Sequence, residues 1–521
     1  MEFIKENKLT VIFAGILLLL TFILWWPTRT LPYWWDSAGY IMGAANYYLE
    51  TNFSSFIFPP DAPFSVHAHP PLFSFILALL WKAFGQSLLV SHIYYLFFVI
   101  LASLGTYWLG KEIADFKDDL LNHLVGFSAS LFLLLSPLYL AQIGIIYVEI
   151  PAAAFAVWAV YFFIKRKALG YMAAGALMVL MKEVSIVIIA AVGLVLLAHF
   201  IKDFKTKKEE RKNLTIQFLK DAAVYAFPAL VLFGWFVWHR AVAGWWFNQP
   251  HYQETFNQNL VTFSADKFKF VFNYFFTAQS RWMIAALMAI FLFIIFSRHG
   301  VKRFLKKELY PIFLAMLFVP LLFGKIDFIN RYIIFGLPFY FIAFSYIWAY
   351  VLHPEFKEHA AETGKKVVYI GSALLIGFMF TLHWNNGIKL TTWHFAPIEE
   401  NVEYMDVIRV GKEMANYIET NYPTATVYTG FPSNYMLRKP FQGYVSKPVD
   451  ARDCTAYKEG DKVDLVVFHV LSPTQVQCKN LIQHLGLQPL DEGGFAHNGK
   501  WMQIYVPPEK IEEAQQAESD L

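Results

Sequence analysis

Charge and cysteine are both scarce. Asp, Glu, Lys and Arg together make up 16% of the 521 residues, while 57% are hydrophobic and 18% aromatic. So little charge excludes an ordinary soluble enzyme of this length, and most of the chain is expected to be dissolved in lipid. Neither sign prevails: Lys+Arg 43 against Asp+Glu 40 gives a net charge of +3, too near neutral for a nucleic-acid partner or a strongly acidic one. The 2 cysteines, Cys454 and Cys478, are too few for a zinc or iron–sulfur site built on cysteine. They allow one disulfide on the oxidising side of a membrane or two separate buried thiols, and spacing does not decide between these. No internal repeat or low-complexity tract interrupts the sequence.

What is present is a series of apolar runs. The first, 9–26, follows Lys5 and Lys8 as a signal peptide would, but it ends in Trp25-Trp26-Pro27 rather than in the small residues of a cleavage site. It reads as a retained anchor. A crossing helix needs about 20 mainly apolar residues. Further candidates lie at 88–109, 124–146, 150–164, 169–181, 184–200, 222–239, 282–296, 309–323, 332–352 and 367–384. The expected fold is therefore a polytopic α-helical membrane protein with about eleven transmembrane helices. Lys5/Lys8, Lys111/Lys117, Lys165-Arg166-Lys167, the run 202–220, and the clusters at 298–307 and 357–366 all fall on one side if every candidate crosses. That side is expected to be cytoplasmic. The N-terminus then lies in the cytoplasm, and residues 27–87, 147–149, 182–183, 243–281, 324–331 and everything after Asn385 face outward from the inner membrane.

Beyond Trp384 the sequence becomes mixed and charged. "VEYMDVIRVGKEMANYIETNYP" predicts a helix stopped by Pro423, "ATVYTG" and "VDLVVFHV" short strands, "TQVQCKNLIQHLG" a helix ended by Gly486, and "WMQIYVPP" a last strand. Alternating strands and helices imply a small extracytoplasmic α/β domain over 387–521, following a transmembrane domain over 1–386.

The candidate chemistry gathers on the outward side. In "YWWDSAGYIMGAANYYLETN", residues 33–52, helical spacing puts Asp36, Tyr40, Gly43 and Tyr47 on one face. Its tryptophans and tyrosines suit a helix lying at the membrane surface. Alone, Asp36 reads as a solvated loop carboxylate or a helix cap. The same loop, 27–87, continues to "VHAHPPLFSFILALLWKAFG". Here His67 and His69 lack a third metal ligand nearby, so substrate contact is favoured over metal. Pro70-Pro71 stiffens the approach to an apolar segment, 72–84, that is short for a full span, and the loop is expected to form a structured lid.

Glu149, in "IIYVEIPAAAF", either marks a turn before Pro151 or, flanked so closely by apolar residues, has a role worth its cost. Lys182-Glu183 interrupts "GALMVLMKEVSIVII"; the two residues pair with each other, or Lys182 snorkels, or both serve a site. Arg331-Tyr332 closes "GKIDFINRY", where Arg331 caps the loop, pairs with Asp327, or joins the same site. The aromatic segments "GWWFNQPHYQETF" and "DKFKFVFNYFF" either anchor at the interface or rim a lipid entrance.

Asp36 after the first span, His69-Pro70-Pro71-Leu72 at the end of the first outer loop, Glu149 before Pro151, and Arg331-Tyr332 leading to Pro338 together resemble the GT-C glycosyltransferases. The resemblance is greatest to the protein O-mannosyltransferase and lipid A aminoarabinose transferase group, and it covers the membrane half in order and spacing. Two positions depart from that pattern. The usual Asp-Glu pair is Asp36-Ser37 here, and the usual Lys-Pro-Pro is His69-Pro70-Pro71. The resemblance implies inverting transfer of a sugar from a polyprenyl-phosphate donor to a hydroxyl acceptor (protein, lipid A or glycan) at the membrane–water boundary. Asp36 would be the general base. Arg331 and Lys182, with His69, would hold the leaving phosphate, and Glu149 would orient hydroxyls or share a divalent cation (Mg or Mn) with Asp36. Tyr40, His67, Glu183 and Tyr332 complete the expected substrate-binding set. A transporter or lipid flippase would instead place polar residues along several spans at mid-membrane, and few are there. A non-catalytic membrane subunit whose outer domain binds a partner is a third class.

Overall fold

The computed structural model describes residues 8–59, 62, 68–247, 249, 264–299, 307–323, 329–352, 374, 377–379, 381–382, 399–469 and 475–511. His67 and Asp327 lie outside these, as do most of "GWWFNQPHYQETF" and of the apolar run at 367–384. The first part of the described chain is helical: α1 (Lys8–Trp25), α2 (Met42–Glu50), α3 (Leu72–Phe84), α4 (Leu88–Ala114), α5 (Asp119–Leu135), α6 (Pro137–Gly144), α7 (Glu149–Ile164), α8 (Ala168–Met181), α9 (Ile186–Thr206), α10 (Arg211–Ala243), α11 (Ala265–Thr277), α12 (Arg281–His299), α13 (Tyr310–Phe323) and α14 (Leu337–Leu352). Local chemistry sets several boundaries. Ser87 and Asp118 cap α4 and α5 by accepting from the main-chain N–H of Val90 and Leu121. Gly85, at φ 89°, ends α3.

Among the described residues, four helices can each cross a membrane by length and composition: Lys8–Thr28, Leu88–Ala114, Glu183–Thr206 and Arg211–Ala243. Two bent pairs raise the number to six if each is one span, and shorter apolar helices lie at Leu72–Phe84, Glu149–Ile164, Ala168–Met181, Tyr310–Phe323 and Leu337–Val351. The run expected to be one span over 124–146 is broken. Pro137 cannot continue the hydrogen-bond ladder of α5, so the chain restarts as α6 at an angle of 65°. The aromatic segment "DKFKFVFNYFF", expected as loop, forms α11 and meets α12 at 84°.

In the bundle α4 lies against α5 and α7, α7 against α8, α5 against α14, and α9 against α10. At one end Lys111 reaches Thr10 at 3.3 Å and Lys165 pairs with Glu112 at 2.7 Å. The start of α1 and the ends of α4 and α7 therefore share that basic end. At the other end Trp25 donates to the carbonyl of His92 at 3.0 Å.

Past α15 (Tyr404–Asn421) the chain builds a five-stranded sheet from β1 (Thr426–Thr429), β2 (Asp450–Asp453), β3 (Leu465–His469), β4 (Gln488–His497) and β5 (Lys500–Val506), in the order β2-β1-β3-β5-β4. β2, β1 and β3 run parallel, while β5 and β4 are antiparallel additions. α16 (Ser433–Arg438) and α17 (Gln475–His484) flank the sheet, and Cys454 is disulfide-bonded to Cys478. This part is docked on the bundle. Tyr33 N–H donates to the Gln442 carbonyl at 3.1 Å, Gln442 Nε2 to the Ala38 carbonyl at 2.9 Å, and Tyr444 Oη to the Tyr33 carbonyl at 3.1 Å. One buried core runs from the helices into α15 and the sheet.

Candidate active site

Irregular backbone delivers the charged side chains. Asp36 precedes a π-helical turn, Ser37–Ile41, that leads into α2, and its carboxylate makes no capping bond, so the helix-cap role does not hold. Trp34 is buried in protein and Trp35 meets Phe431 edge-on at 5.1 Å. The tryptophan pair thus packs between the bundle and the C-terminal part. Glu149 opens α7. Lys182 caps α8 in an extended conformation where the ladder stops. Arg331 sits in a 3-10 turn, Asn330–Phe335. Broken spans free backbone polar groups and aim side chains inward, which regular helix does not allow.

Arg331 is the hub. Its Nη2 donates to Asp36 Oδ2, its Nη1 to Glu399 Oε2 at 2.5 Å, and its Nε to Glu149 Oε1 at 3.4 Å. Lys182 Nζ lies 3.8 Å from the same Glu149 oxygen. So Lys182 pairs with Glu149 and joins the site, the third of the alternatives open from the sequence. The guanidinium lies 4.3 Å from the ring of Tyr147, and Lys182 lies 4.7 Å from that of Tyr332, both within cation–π range. A buried cation is tolerated only with such compensation. Beside this hub, His69 Nδ1 pairs with Glu183 Oε1 at 2.9 Å and the Tyr40 ring meets His69 edge-on at 5.9 Å. The second carboxylate oxygens of Glu149 and Glu183 are buried and accept no hydrogen bond from another described residue. Buried acceptors of that kind are costly and rare. Asp36 is the open member of the hub, its side chain 41% exposed.

Sequence reasoning missed Glu399, Glu400 and Tyr147. Glu399 accepts from Tyr147 Oη at 2.5 Å as well as from Arg331, and its carbonyl accepts from Gln142 Nε2 at 2.9 Å. Glu400 takes a bond from Asn330 Nδ2, and its carbonyl one from Gln279 Nε2 at 2.9 Å. Burial raises the Glu399 carboxyl above the ordinary glutamate value against the pull of Arg331, and raises Glu400 to about 7. The only signal in sequence was an acid pair after Pro397, in a region already rich in charge.

A divalent ion fits poorly. Asp36, Glu149 and Glu399 converge, but on a guanidinium, and among the described residues no group of three or more His, Cys, Asp or Glu is arranged to hold a metal. A cavity of about 1070 Å³ lies away from the hub. It is bordered by Arg166, His199, Lys202 and Asp221.

The overall fold is similar to that of ArnT from Cupriavidus metallidurans. Against ArnT bound to undecaprenyl phosphate the TM-score is 0.54 at 12% identity, covering 96% of this chain and 98% of that one. Against ArnT in the apo state it is 0.58 at 11% identity, covering 97% and 99%. This is the GT-C fold. The likeness spans both the helical bundle and the C-terminal sheet of this chain. No family model matches the sequence, and no curated protein is similar to it in sequence.

Proposed function

We propose that the chain is an integral membrane glycosyltransferase that moves a sugar from a polyprenyl-phosphate donor to a hydroxyl acceptor on the outer face of the membrane, with inversion. The observation that carries this reading is the partly exposed Asp36 carboxylate held against buried Arg331. A candidate base and a candidate phosphate clamp sit side by side, where about eleven crossings would bring a lipid-borne donor to water. The ArnT structure with undecaprenyl phosphate supports a lipid phosphate as the donor's carrier.

The chemistry follows from where charge develops. The acceptor oxygen bonds to the anomeric carbon as the carbon–oxygen bond to phosphate breaks; Asp36 takes the hydroxyl proton, and the phosphate leaves with the electron pair. General-base help of this kind is worth about 10² to 10⁴ in rate. Arg331 and Lys182 stabilise the leaving phosphate as fixed cations. Attacking and leaving oxygens lie on opposite sides of the carbon, so the sugar enters between Asp36 and Arg331 and their contact opens. The free oxygens of Glu149 and Glu183 are acceptors for sugar or acceptor hydroxyls, and His69, fixed by Glu183, and Tyr40 and Tyr332 line the approach. No step is routed through a metal ion. The C-terminal part, outward-facing in this reading, borders the acceptor side.

Asp36→Asn tests the base. It should lower the transfer rate about 10² to 10⁴-fold while donor binding and thermal stability stay at the native level. Full activity in that variant would remove the assignment.

A further inference from the structure

Glu399 sits against Arg331, the phosphate clamp of the proposed function. A carboxylate offers a guanidinium oxygens in nearly the arrangement that a phosphate does. The side chain is firmly seated: Oε1 accepts from Tyr147, Oε2 from Arg331, and the carbonyls of Glu399 and Glu400 accept from Gln142 and Gln279 at 2.9 Å each. The two main-chain bonds would keep the segment in place if the carboxylate alone turned away.

We propose that Glu399 is a stand-in for the donor phosphate: it holds Arg331 aligned until the phosphate takes over the guanidinium, and so it sets donor affinity as a positioning residue. Charge supports the exchange. Asp36, Glu149 and Glu399 face two cations, Arg331 and Lys182, so an arriving phosphate meets an excess of negative charge unless one carboxylate yields. Asp36 is needed as the base, and Glu149 is shared between Arg331 and Lys182. Glu399 is the member with a neutral second donor, the Tyr147 hydroxyl, to retain it after release. Burial that favours its neutral form works in the same direction.

This inference rests on Arg331 being the phosphate clamp, and the experiment separates the two. Undecaprenyl phosphate is titrated against the full chain in nanodiscs at pH 8, comparing native protein with Glu399→Gln, Glu399→Asp and Arg331→Ala. Glu399→Gln should bind about tenfold tighter. In turnover its KM should fall without a rise in kcat. Glu399→Asp keeps the charge but draws it back from Arg331, and should bind with intermediate affinity, which keeps the test open if the Gln variant folds poorly. Weaker binding in Arg331→Ala together with unchanged or weaker binding in both Glu399 variants overturns this inference alone. Unchanged binding in Arg331→Ala overturns the clamp and this inference with it.

Discussion

Asp36 and Arg331 are separated by 295 residues and meet because two breaks in regular structure, the π turn after Asp36 and the 3-10 turn around Arg331, point their side chains at each other. Glu149 and Lys182 stood out in the sequence because a charge in an apolar run is costly, while Asp36 and Arg331, ambiguous alone, were joined to them by the family resemblance. Glu399 did not stand out, because it lies where acids are ordinary, and only its fold partners reveal it. Its neighbour Glu400 gives a pH prediction. Burial lifts its carboxyl to about 7 in the folded protein, while the unfolded chain ionises near the ordinary glutamate value of about 4.3. Between those values the unfolded state releases its proton first, so stability falls as pH rises through that window and stays lower above it. Glu400→Gln cannot ionise and keeps an oxygen for Asn330. It should raise Tm at pH 8 and leave it unchanged at pH 4; an equal Tm at pH 8 would mean that Glu400 is not desolvated as the structure has it.

Elements pack closely where side chains give way. At the crossing of α4 and α5, a Cβ on Gly126 would stand 2.2 Å from the carbonyl oxygen of Tyr107 and 3.0 Å from the Lys111 nitrogen. Backbone cannot yield as a side chain does, so Gly126→Ala must spread the two helices. Overpacking of this kind costs about 1–3 kcal/mol. Thermal unfolding of the purified variant in detergent should show a lower Tm with undecaprenyl phosphate affinity retained, since the crossing lies toward the basic end; an unchanged Tm would contradict the close approach. Helix α15 and strands β1, β3 and β5 follow directly from periodicity and β-branched runs, as β5 illustrates by alternating buried and half-buried positions. Strands β2 and β4 did not announce themselves. "DARD" and "QPLDEGGFAH" are polar and glycine-bearing, and they become strands only because β1 and β5 offer them edges. The break at Ser136-Pro137 was hidden for a different reason: apolar composition runs straight through it.

At the scale of the whole molecule, the C-terminal part is more than an appendage. Gln442 and Tyr444 bond to the loop that carries Asp36, Phe431 packs on Trp35 and its ring stands 3.2 Å from where a Cβ on Gly39 would be, and Glu399 closes the hub from the chain just before α15. The proposed site is thus assembled from both ends of the sequence. Composition announced a bundle with a mixed α/β part after it, because lipid and water select such different residues. It did not announce how the two would join, because that joint is made of ordinary tyrosines, glutamines and main-chain carbonyls. The most direct measurement incubates the purified full chain with a panel of polyprenyl-phosphate sugars and hydroxyl acceptors and follows lipid and sugar products by mass spectrometry and NMR. The account predicts that one donor class yields free polyprenyl phosphate in step with glycosylated acceptor of inverted anomeric configuration. Bound donor that is never consumed, or product with retained configuration, would contradict it.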